Sequence, residues 1–257
     1  MLNNNSNKVA FLIVTCDKYQ DLWMPFFKTF FKYWSDCSYK IYLASNFKKF
    51  EHEKVSNISF GEDKDYSTNL INILEKITEE WIIVWYEDAF ITKHVDNLLV
   101  NKLVNKAIAN SADYLKLTVD YPLYYGQSNE DMGPIPRGVK YRSAMGMALY
   151  HKSTLNKILI PGQSAWQLDK SNNADKFDLE FYALNSIYRF NRPFTIINSV
   201  IKGRWYLTAP NFLKGEGLSD YILNREIQSL KDYLYIKLFL LRVEFYFIFK
   251  KYWYNKS

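Results

Sequence analysis

Cysteine, glycine and proline are all scarce in this 257-residue sequence. It contains two cysteines, nine glycines and seven prolines. Two thiols are too few for a disulfide framework, and so little glycine and proline excludes a collagen-like or low-complexity chain. The three histidines lie far apart, and none is spaced from a cysteine as zinc ligands are. Disulfide scaffolds and zinc-site proteins are therefore disfavoured.

Several catalytic and targeting signals are also missing. No Gly-x-Gly-x-x-Gly, no Walker-type loop and no Gly-x-Ser-x-Gly occurs, which argues against a dinucleotide fold, a P-loop enzyme and an α/β-hydrolase. The first apolar run is only about six residues long and follows a polar leader, which is short for the core of a signal peptide. We therefore expect a cytoplasmic protein.

Apolar residues are abundant and their periodicity indicates an α/β domain. They make up 48% of the chain, with 18% aromatic residues, so a large core can form. Residues 9–14 and 81–86 are continuous apolar runs, typical of strands buried on both faces. Helical spacing over residues 21–34 separates the first run from a further strand at residues 40–44. The pattern predicts a mixed, mostly parallel sheet flanked by helices.

The remaining pattern predicts elements of both kinds. Residues 161–176 are expected to be a loop, and residues 120–141 form a polar, Gly- and Pro-containing connection. Ser67 or Thr68 is expected to cap the helix after the third strand. The other helices are predicted at residues 68–80, 95–112, 153–160 and 178–188, and the other strands at residues 58–60, 114–118, 145–150 and 195–201.

The acidic pair Glu87-Asp88 is the sharpest chemical feature. It stands directly after the apolar run of residues 81–86, and ligands of open α/β sheets bind outside the carboxyl ends of the strands. Two adjacent carboxylates there suit a divalent cation, which in turn could bridge a diphosphate. A plain solvated strand end would carry the same two residues.

Residues 82–91 form an apolar strand followed by Glu-Asp and Ala-Phe-Ile, with Val95-Asp96 after them. This pattern is the starting point of a resemblance to bacterial GT-A glycosyltransferases of surface-polysaccharide assembly. It extends in the same order to the first strand, to residues 61–69 before the donor-site helix, and to residues 164–169 and 201–205. It covers roughly residues 8–205 and implies a GT-A fold with a nucleotide-diphosphate sugar as donor.

The resemblance also implies roles for individual residues. Thr15 and Asp17 would contact the nucleobase or ribose, and Asp65 would lie near the nucleotide. Asp88, with Glu87, would hold the ribose and the metal-diphosphate, so Asp88 is the predicted metal ligand, for Mn²⁺ or Mg²⁺. Ala89 stands where these enzymes often have a second aspartate, so a metal-dependent and a metal-independent site both stay open.

Asp169 is the predicted general base. Sugar transfer with inversion needs a carboxylate that takes the proton of the acceptor hydroxyl; Asp178 and Glu180, the latter expected on a helix, are its rivals. Lys202 and Arg204 flank a glycine after a strand and would bind the diphosphate. A second basic pair, Arg137 and Arg142, brackets the Gly/Pro-containing loop and is a candidate lid over the donor.

The C-terminal part of the chain differs in character from the rest. We predict a catalytic domain at residues 1–217 and a basic, aromatic helical tail at residues 218–257. The net charge of the protein is +6, and Lys231 to Lys256 contribute +4 of it. Lys237, Arg242 and Glu244 interrupt the apolar run, so a spanning helix is not expected. The tail is expected to lie on the inner face of the plasma membrane, or to pack on its own domain or a second subunit.

The predicted partners are a nucleotide-sugar donor and a saccharide acceptor, lipid-linked if the tail contacts a membrane. Two other functions remain open. A nucleotidyltransferase or nucleotide-sugar hydrolase would use the same acids on a similar scaffold. A basic nucleic-acid-binding protein would need a continuous basic face, whereas the positive charge here concentrates in an apolar tail, so no nucleic acid is expected.

Overall fold

The computed structural model describes residues 5–121, 123–127 and 129–254. The Trp253 side chain and Lys256, both counted with the predicted tail, lie outside what is described. The strands are β1 Val9–Val14, β2 Lys40–Ser45, β3 Val55–Ser59, β4 Trp81–Tyr86, β5 Ala89–Ile91, β6 Tyr114–Lys116, β7 Met132–Pro134, β8 Ala148–His151, β9 Phe181–Leu184, β10 Ile196–Asn198, β11 Val200–Ile201 and β12 Arg204–Trp205. The α-helices are α1 Gln20–Tyr33, α2 Tyr66–Leu74, α3 Asn97–Ala109, α4 Lys152–Ile158, α5 Ala165–Lys170, α6 Ala209–Gly215 and α7 Leu230–Tyr254.

An eight-stranded sheet organises the domain, in the order β3-β2-β1-β4-β8-β6-β9-β7. The pairings β3–β2, β2–β1, β1–β4 and β6–β9 are parallel, and the pairings made by β8 and β7 are antiparallel. Small two-stranded ribbons, β5–β10 and β11–β12, lie beside it. The expected mixed, mostly parallel sheet flanked by helices is confirmed.

Both faces of the sheet are covered, and the first strand shows how. Alternate side chains of β1 enter two separate cores because successive side chains of a strand point to opposite faces. Phe11 packs against Phe30 of α1 and against Trp34, the residue that follows this helix. Leu12, on the other face, belongs to a core with Leu70 and Ile73 of α2. A strand buried on both faces is therefore uniformly apolar.

Three sequence predictions about local structure are wrong. Residues 178–188 were expected to be helical but contain β9, paired with β6 and β7, because a short apolar run does not distinguish the two conformations. Glu180 accordingly precedes a strand. Residues 161–176 were expected to be a loop but include α5. This helix has only six residues, too few to show a helical period in the sequence. The cap of α2 is Asp65, whose carboxylate accepts a hydrogen bond from the amide of Thr68.

Helix α7 leaves the domain at Leu230 and is the longest helix of the described residues. Within those residues, no helix combines the length and the apolar character needed to cross a bilayer.

Candidate functional site

The acidic pair forms the turn at the end of the central strand β4. Glu87 and Asp88 connect β4 directly to β5, and β4 lies beside the carboxyl end of β1. The carbonyl oxygen of Asp88 accepts hydrogen bonds from the amide and the hydroxyl of Ser199, at 2.7 and 2.9 Å. Because Ser199 is fully buried, these two bonds anchor the backbone of the turn to the interior. The two carboxyl groups lie at the carboxyl end of β4.

Five of the predicted site residues line one cleft at this edge. The cleft has a volume of about 680 Å³ and includes Thr15, Asp65, Glu87, Asp88 and Asp169. These residues come from four separate parts of the chain, so the fold brings them together. Strands β1 and β4 form the floor, and α2 and α5 form the walls.

Burial makes the acidic pair hard to ionise. Burial raises the pKa of Glu87, and the nearby carboxylate of Asp88 raises it further. Burial likewise raises the pKa of Asp88. A hydrogen bond with Thr15 and the positive charge of Arg225 partly offset these effects at Glu87. The charge of Arg225 thus compensates the pair only in part, and a bound cation would supply more positive charge.

Arg225 is a positively charged residue near the acidic pair that the sequence analysis did not single out. Its guanidinium forms two hydrogen bonds with the carboxylate of Asp21, each 2.6 Å long, and stacks over the ring of Tyr19. From there its charge partly offsets the rise that burial causes in the pKa of both Glu87 and Asp88. No local sequence signal marks it, because it lies in an irregular segment more than 200 residues after Asp21.

The α2 wall begins with Asp65. Its carboxylate accepts hydrogen bonds from the Thr68 amide at 2.9 Å and from the Thr68 hydroxyl at 2.6 Å. These bonds outweigh the effect of burial and lower the pKa of Asp65. Tyr66 follows, and its hydroxyl lies 3.0 Å from that of Tyr86, the last residue of β4. Burial raises the pKa of both tyrosines, so they remain neutral hydrogen-bonding groups in the cleft.

The α5 wall carries Asp169. Ser164 starts this helix with a capping box that includes Gln167. One carboxylate oxygen of Asp169 accepts a hydrogen bond from the Met145 amide at 2.7 Å. Burial raises the pKa of Asp169, with a smaller opposing effect from that amide and from Lys116. A carboxylate with a raised pKa in a cleft is suited to take a proton near neutral pH.

The other predicted residues, Asp17, Lys202 and Arg204, line a second cleft of about 790 Å³. Its lining also includes Arg225, whose charge acts on the acidic pair, so the two clefts are neighbours. Asp17 accepts hydrogen bonds from the amides of Phe47 and Lys48 and thus holds the loop after β2.

Lys202 and Gly203 form the turn of the β11–β12 hairpin, both with positive φ as such a turn requires. Arg204 pairs with Glu226 at 3.3 Å. The structure therefore separates this basic turn from the cleft of the acidic pair, which the order of motifs in the sequence did not indicate.

The suggested lid is wrong for Arg142. Its side chain is buried and donates to the carbonyl oxygens of Ile135 and Leu179, with an ion pair to Asp175 at 3.2 Å. Arg137 lies on the surface and pairs with Asp178. Both arginines hold loops of the domain, and Arg142 is a structural residue.

The residues present fit a divalent cation only if the ligand completes its coordination. Glu87 and Asp88 offer carboxylate oxygens, which Mg²⁺ and Mn²⁺ accept. Among the described residues, no group of three or more acidic, histidine or cysteine side chains could hold a metal by itself. Phosphate oxygens and water would therefore supply the remaining ligands, as is usual for Mg²⁺ bound with a nucleotide.

No protein-family model and no curated protein sequence matches this chain. Solved structures with a similar fold include residues 1–349 of S. aureus TarS, at 10% identity and a TM-score of 0.43, over 71% of this chain and 62% of that one. A mannosyltransferase from Pyrobaculum calidifontis in complex with GDP-Man and Mn²⁺ has 12% identity and a TM-score of 0.44, over 69% and 54% of the two chains.

A 2-C-methyl-D-erythritol 4-phosphate cytidylyltransferase from Thermus thermophilus has 10% identity and a TM-score of 0.45, over 83% and 99% of the two chains. The chain thus spans about three fifths of the TarS structure. Glycosyltransferases, the family that the sequence resembles, are among these structures. At such identities and scores the likeness is one of fold and identifies no activity.

Proposed function

We propose that this protein is a glycosyltransferase that uses a nucleotide-diphosphate sugar. The observation that carries the proposal is the single cleft at the carboxyl ends of β1 and β4, which collects Thr15, Asp65, the acidic pair and Asp169. It combines a place for a metal-bound diphosphate with a carboxylate suited to act as a base. The proposed acceptor is a hydroxyl of a saccharide, lipid-linked in surface-polysaccharide assembly.

In the proposed reaction, the acceptor oxygen forms a bond to the anomeric carbon as the bond from that carbon to the diphosphate oxygen breaks. Asp169 takes the proton of the acceptor hydroxyl, and the configuration inverts. Glu87 and Asp88 would hold a divalent cation, which when bound offsets the charge of the departing diphosphate. Thr15, Asp17 and Asp65 would position the nucleoside.

Lys202 and Arg204 are proposed to stabilise the diphosphate from the neighbouring cleft. Arg225 joins them there, and its charge acts on Asp88 of the first cleft, which supports an assignment of all three to the anionic part of the donor. Basic side chains that face a developing negative charge lower the barrier because their positions are set before the reaction.

Calorimetric titration with UDP and GDP, with and without Mn²⁺, tests the donor site. Asp88→Asn keeps the size of the side chain but removes its charge, so we expect the binding of one nucleotide to weaken by about tenfold or more. Glu53→Gln, at an exposed position after β2, is the matched control and should bind as the wild type does. If neither nucleotide binds the wild-type protein, the proposal is wrong.

Product analysis tests the reaction itself. With an accepted donor and acceptor, Asp169→Asn should lower turnover by about 10²–10⁴-fold while nucleotide binding stays within a factor of two or so of the wild type. A new glycosidic bond identifies a transferase, whereas release of free sugar identifies a hydrolase. A nucleotidyltransferase would instead release pyrophosphate when given a nucleoside triphosphate and a sugar phosphate. Loss of both binding and turnover would place Asp169 in the donor site instead.

A further inference from the structure

Helix α7 exposes an unusual amount of apolar surface. Eleven large apolar side chains of this helix are exposed, which are those of Leu230, Leu234, Tyr235, Leu238, Phe239, Leu240, Leu241, Phe245, Ile248, Phe249 and Tyr252. In soluble proteins, a large contiguous patch of exposed apolar side chains marks a surface that binds a protein or a membrane.

The exposed side chains follow a regular spacing. From Leu234 the spacing runs 4-3-4-3-4 through Leu238, Leu241, Phe245, Ile248 and Tyr252, which places them along one side of the helix. Tyr235, Phe239 and Phe249 broaden this side beyond a single seam. We call these nine residues the outer face of α7.

The opposite side of α7 is already occupied by its own domain. Phe247 is fully buried and stacks on Tyr121, with a ring-centroid distance of 4.8 Å. Near the start of the helix, the ring of Tyr233 packs against Tyr206 at 5.2 Å. Lys251 lies over the ring of Tyr124 near its end. These contacts lay the helix along the domain and leave most of the outer face uncovered. Only its C-terminal residues Ile248 and Tyr252 border a cavity against the domain.

The charges of α7 match an anionic surface. The helix carries Lys231, Lys237, Arg242, Lys250 and Lys251 against Asp232 and Glu244, a net charge of +3. The first four basic side chains are exposed. If the helix lay in the surface of a bilayer, these long side chains could extend their charged ends to the lipid phosphates.

A further exposed apolar residue follows Arg189, a basic residue that lies beside the C-terminal part of α7. Phe190 is 98% exposed, and Arg189 and Arg192 lie beside it in sequence. Arg189 lines a cavity together with Ile248 and Tyr252 of α7. Arg189 thus adjoins the C-terminal part of the outer face, and the exposed ring of Phe190 follows it in the chain.

We infer that the outer face of α7, together with Phe190, binds the surface of an anionic lipid bilayer. Aromatic and aliphatic side chains would enter the boundary between headgroups and acyl chains, and the basic side chains would contact lipid phosphates. A second copy of the chain fits less well. The apolar side is wider than the seam of a two-stranded coiled coil, and a symmetric pair would bring two positively charged helices together.

Co-sedimentation of the full chain with vesicles tests this inference without any assay of activity. The vesicles are equal parts phosphatidylglycerol and phosphatidylcholine, with phosphatidylcholine alone as the neutral control. We expect binding to the anionic vesicles that weakens in high salt. Arg242→Gln should weaken it about fivefold, and Leu241→Gln with Phe245→Gln should weaken it by at least about tenfold.

Leu98→Gln is the matched control, because Leu98 is an exposed leucine on a different helix, α3; it should bind vesicles as the wild type does. Far-UV circular dichroism checks that the variants fold. The inference is overturned if the wild type does not bind anionic vesicles, or if the α7 variants bind as well as the wild type. It is also overturned if light scattering shows a dimer that the α7 double variant dissociates while vesicle binding persists.

Discussion

At the scale of single residues, Gly146 illustrates how tightly the cleft is packed. It has a φ of +83°, and a Cβ at this position would overlap the ring of Tyr86, which lines the cleft. We expect Gly146→Ala to lower the free energy of unfolding by about 3 kcal/mol, from backbone strain and overpacking together. Urea denaturation measures the change.

The matched control is Gly138→Ala. Gly138 has a similar φ of +78°, but a Cβ there would meet no atom within 4 Å. It should cost only the backbone strain, about 1 kcal/mol. Equal losses in the two variants would mean that the Tyr86 ring can move aside and that the cleft wall is not tightly packed.

The ionisation of a second single residue, Glu87, opposes folding. Its pKa is raised by burial and by Asp88, so the folded state holds the proton more tightly than the unfolded state does. The stability from this carboxyl is therefore present below its unfolded pKa and is lost as the pH rises through the raised value. We expect Glu87→Gln to stabilise the protein at alkaline pH, on the order of 1 kcal/mol, and less so at acidic pH.

Thermal unfolding of both proteins between acidic and alkaline pH checks this prediction. A stability difference that grows toward low pH would contradict it. The same ionisation predicts how a cation would bind, since carboxylates must lose their protons first. Mn²⁺-dependent nucleotide binding should therefore strengthen as the pH rises through the raised pKa values of Glu87 and Asp88.

At the scale of elements, Asp131 ties α3 to the edge of the sheet. It precedes β7, is buried, and its carboxylate accepts hydrogen bonds from Lys102 at 2.8 Å, from Lys106 at 2.5 Å and from Tyr188. Burial opposes ionisation, but these three bonds prevail and lower the pKa of Asp131. We expect Asp131→Asn to cost about 2–3 kcal/mol of unfolding free energy at neutral pH.

This cost should shrink on acidification. A lowered pKa contributes stability above the unfolded pKa, and this stability is lost as the pH falls through the folded value. Chemical denaturation at several pH values measures the difference between wild type and variant. Asp220→Asn, at an exposed position, is the control. A cost as small as that of Asp220→Asn would show that Asp131 does not hold these elements together.

At the scale of the whole molecule, the attachment of α7 depends on few side chains. Phe247 is fully buried against the domain, whereas Phe245, two residues before it, is 63% exposed. Phe247→Ala should lower the protection of α7 amides from hydrogen exchange by about 10²-fold, since such a truncation costs about 3 kcal/mol. The sheet should keep its protection, and Phe245→Ala should change neither. Unchanged exchange in Phe247→Ala would mean that other contacts hold the helix.

The division into a catalytic domain at residues 1–217 and a tail at residues 218–257 remains a prediction. The aromatic contacts of α7 with Tyr121 and Tyr206 cross the proposed boundary. Nucleotide titration of a chain that ends at residue 217 tests it. Retained binding would support an independent domain, and a protein that no longer folds would show that residues 218–257 are part of the domain.

The sequence by itself determined the frame of the site. The uniformly apolar runs of β1 and β4 predict buried parallel strands, and the position of Glu87-Asp88 directly after β4 predicts an acidic sheet edge. These features are encoded in neighbouring residues, whose spacing can be read without knowledge of the rest of the chain. The periodicity of α1 belongs to the same class.

Only the tertiary structure decided which distant residues complete the site. Asp169 joins the acidic pair because α5 packs against α2 at the same cleft, whereas Lys202 and Arg204 fall in the neighbouring cleft. Arg225 acts on Glu87 from an irregular segment near the other end of the sequence. The strand character of β9 likewise depends on its pairing with β6 and β7. Such contacts join parts of the chain far apart in sequence, so no local pattern specifies them.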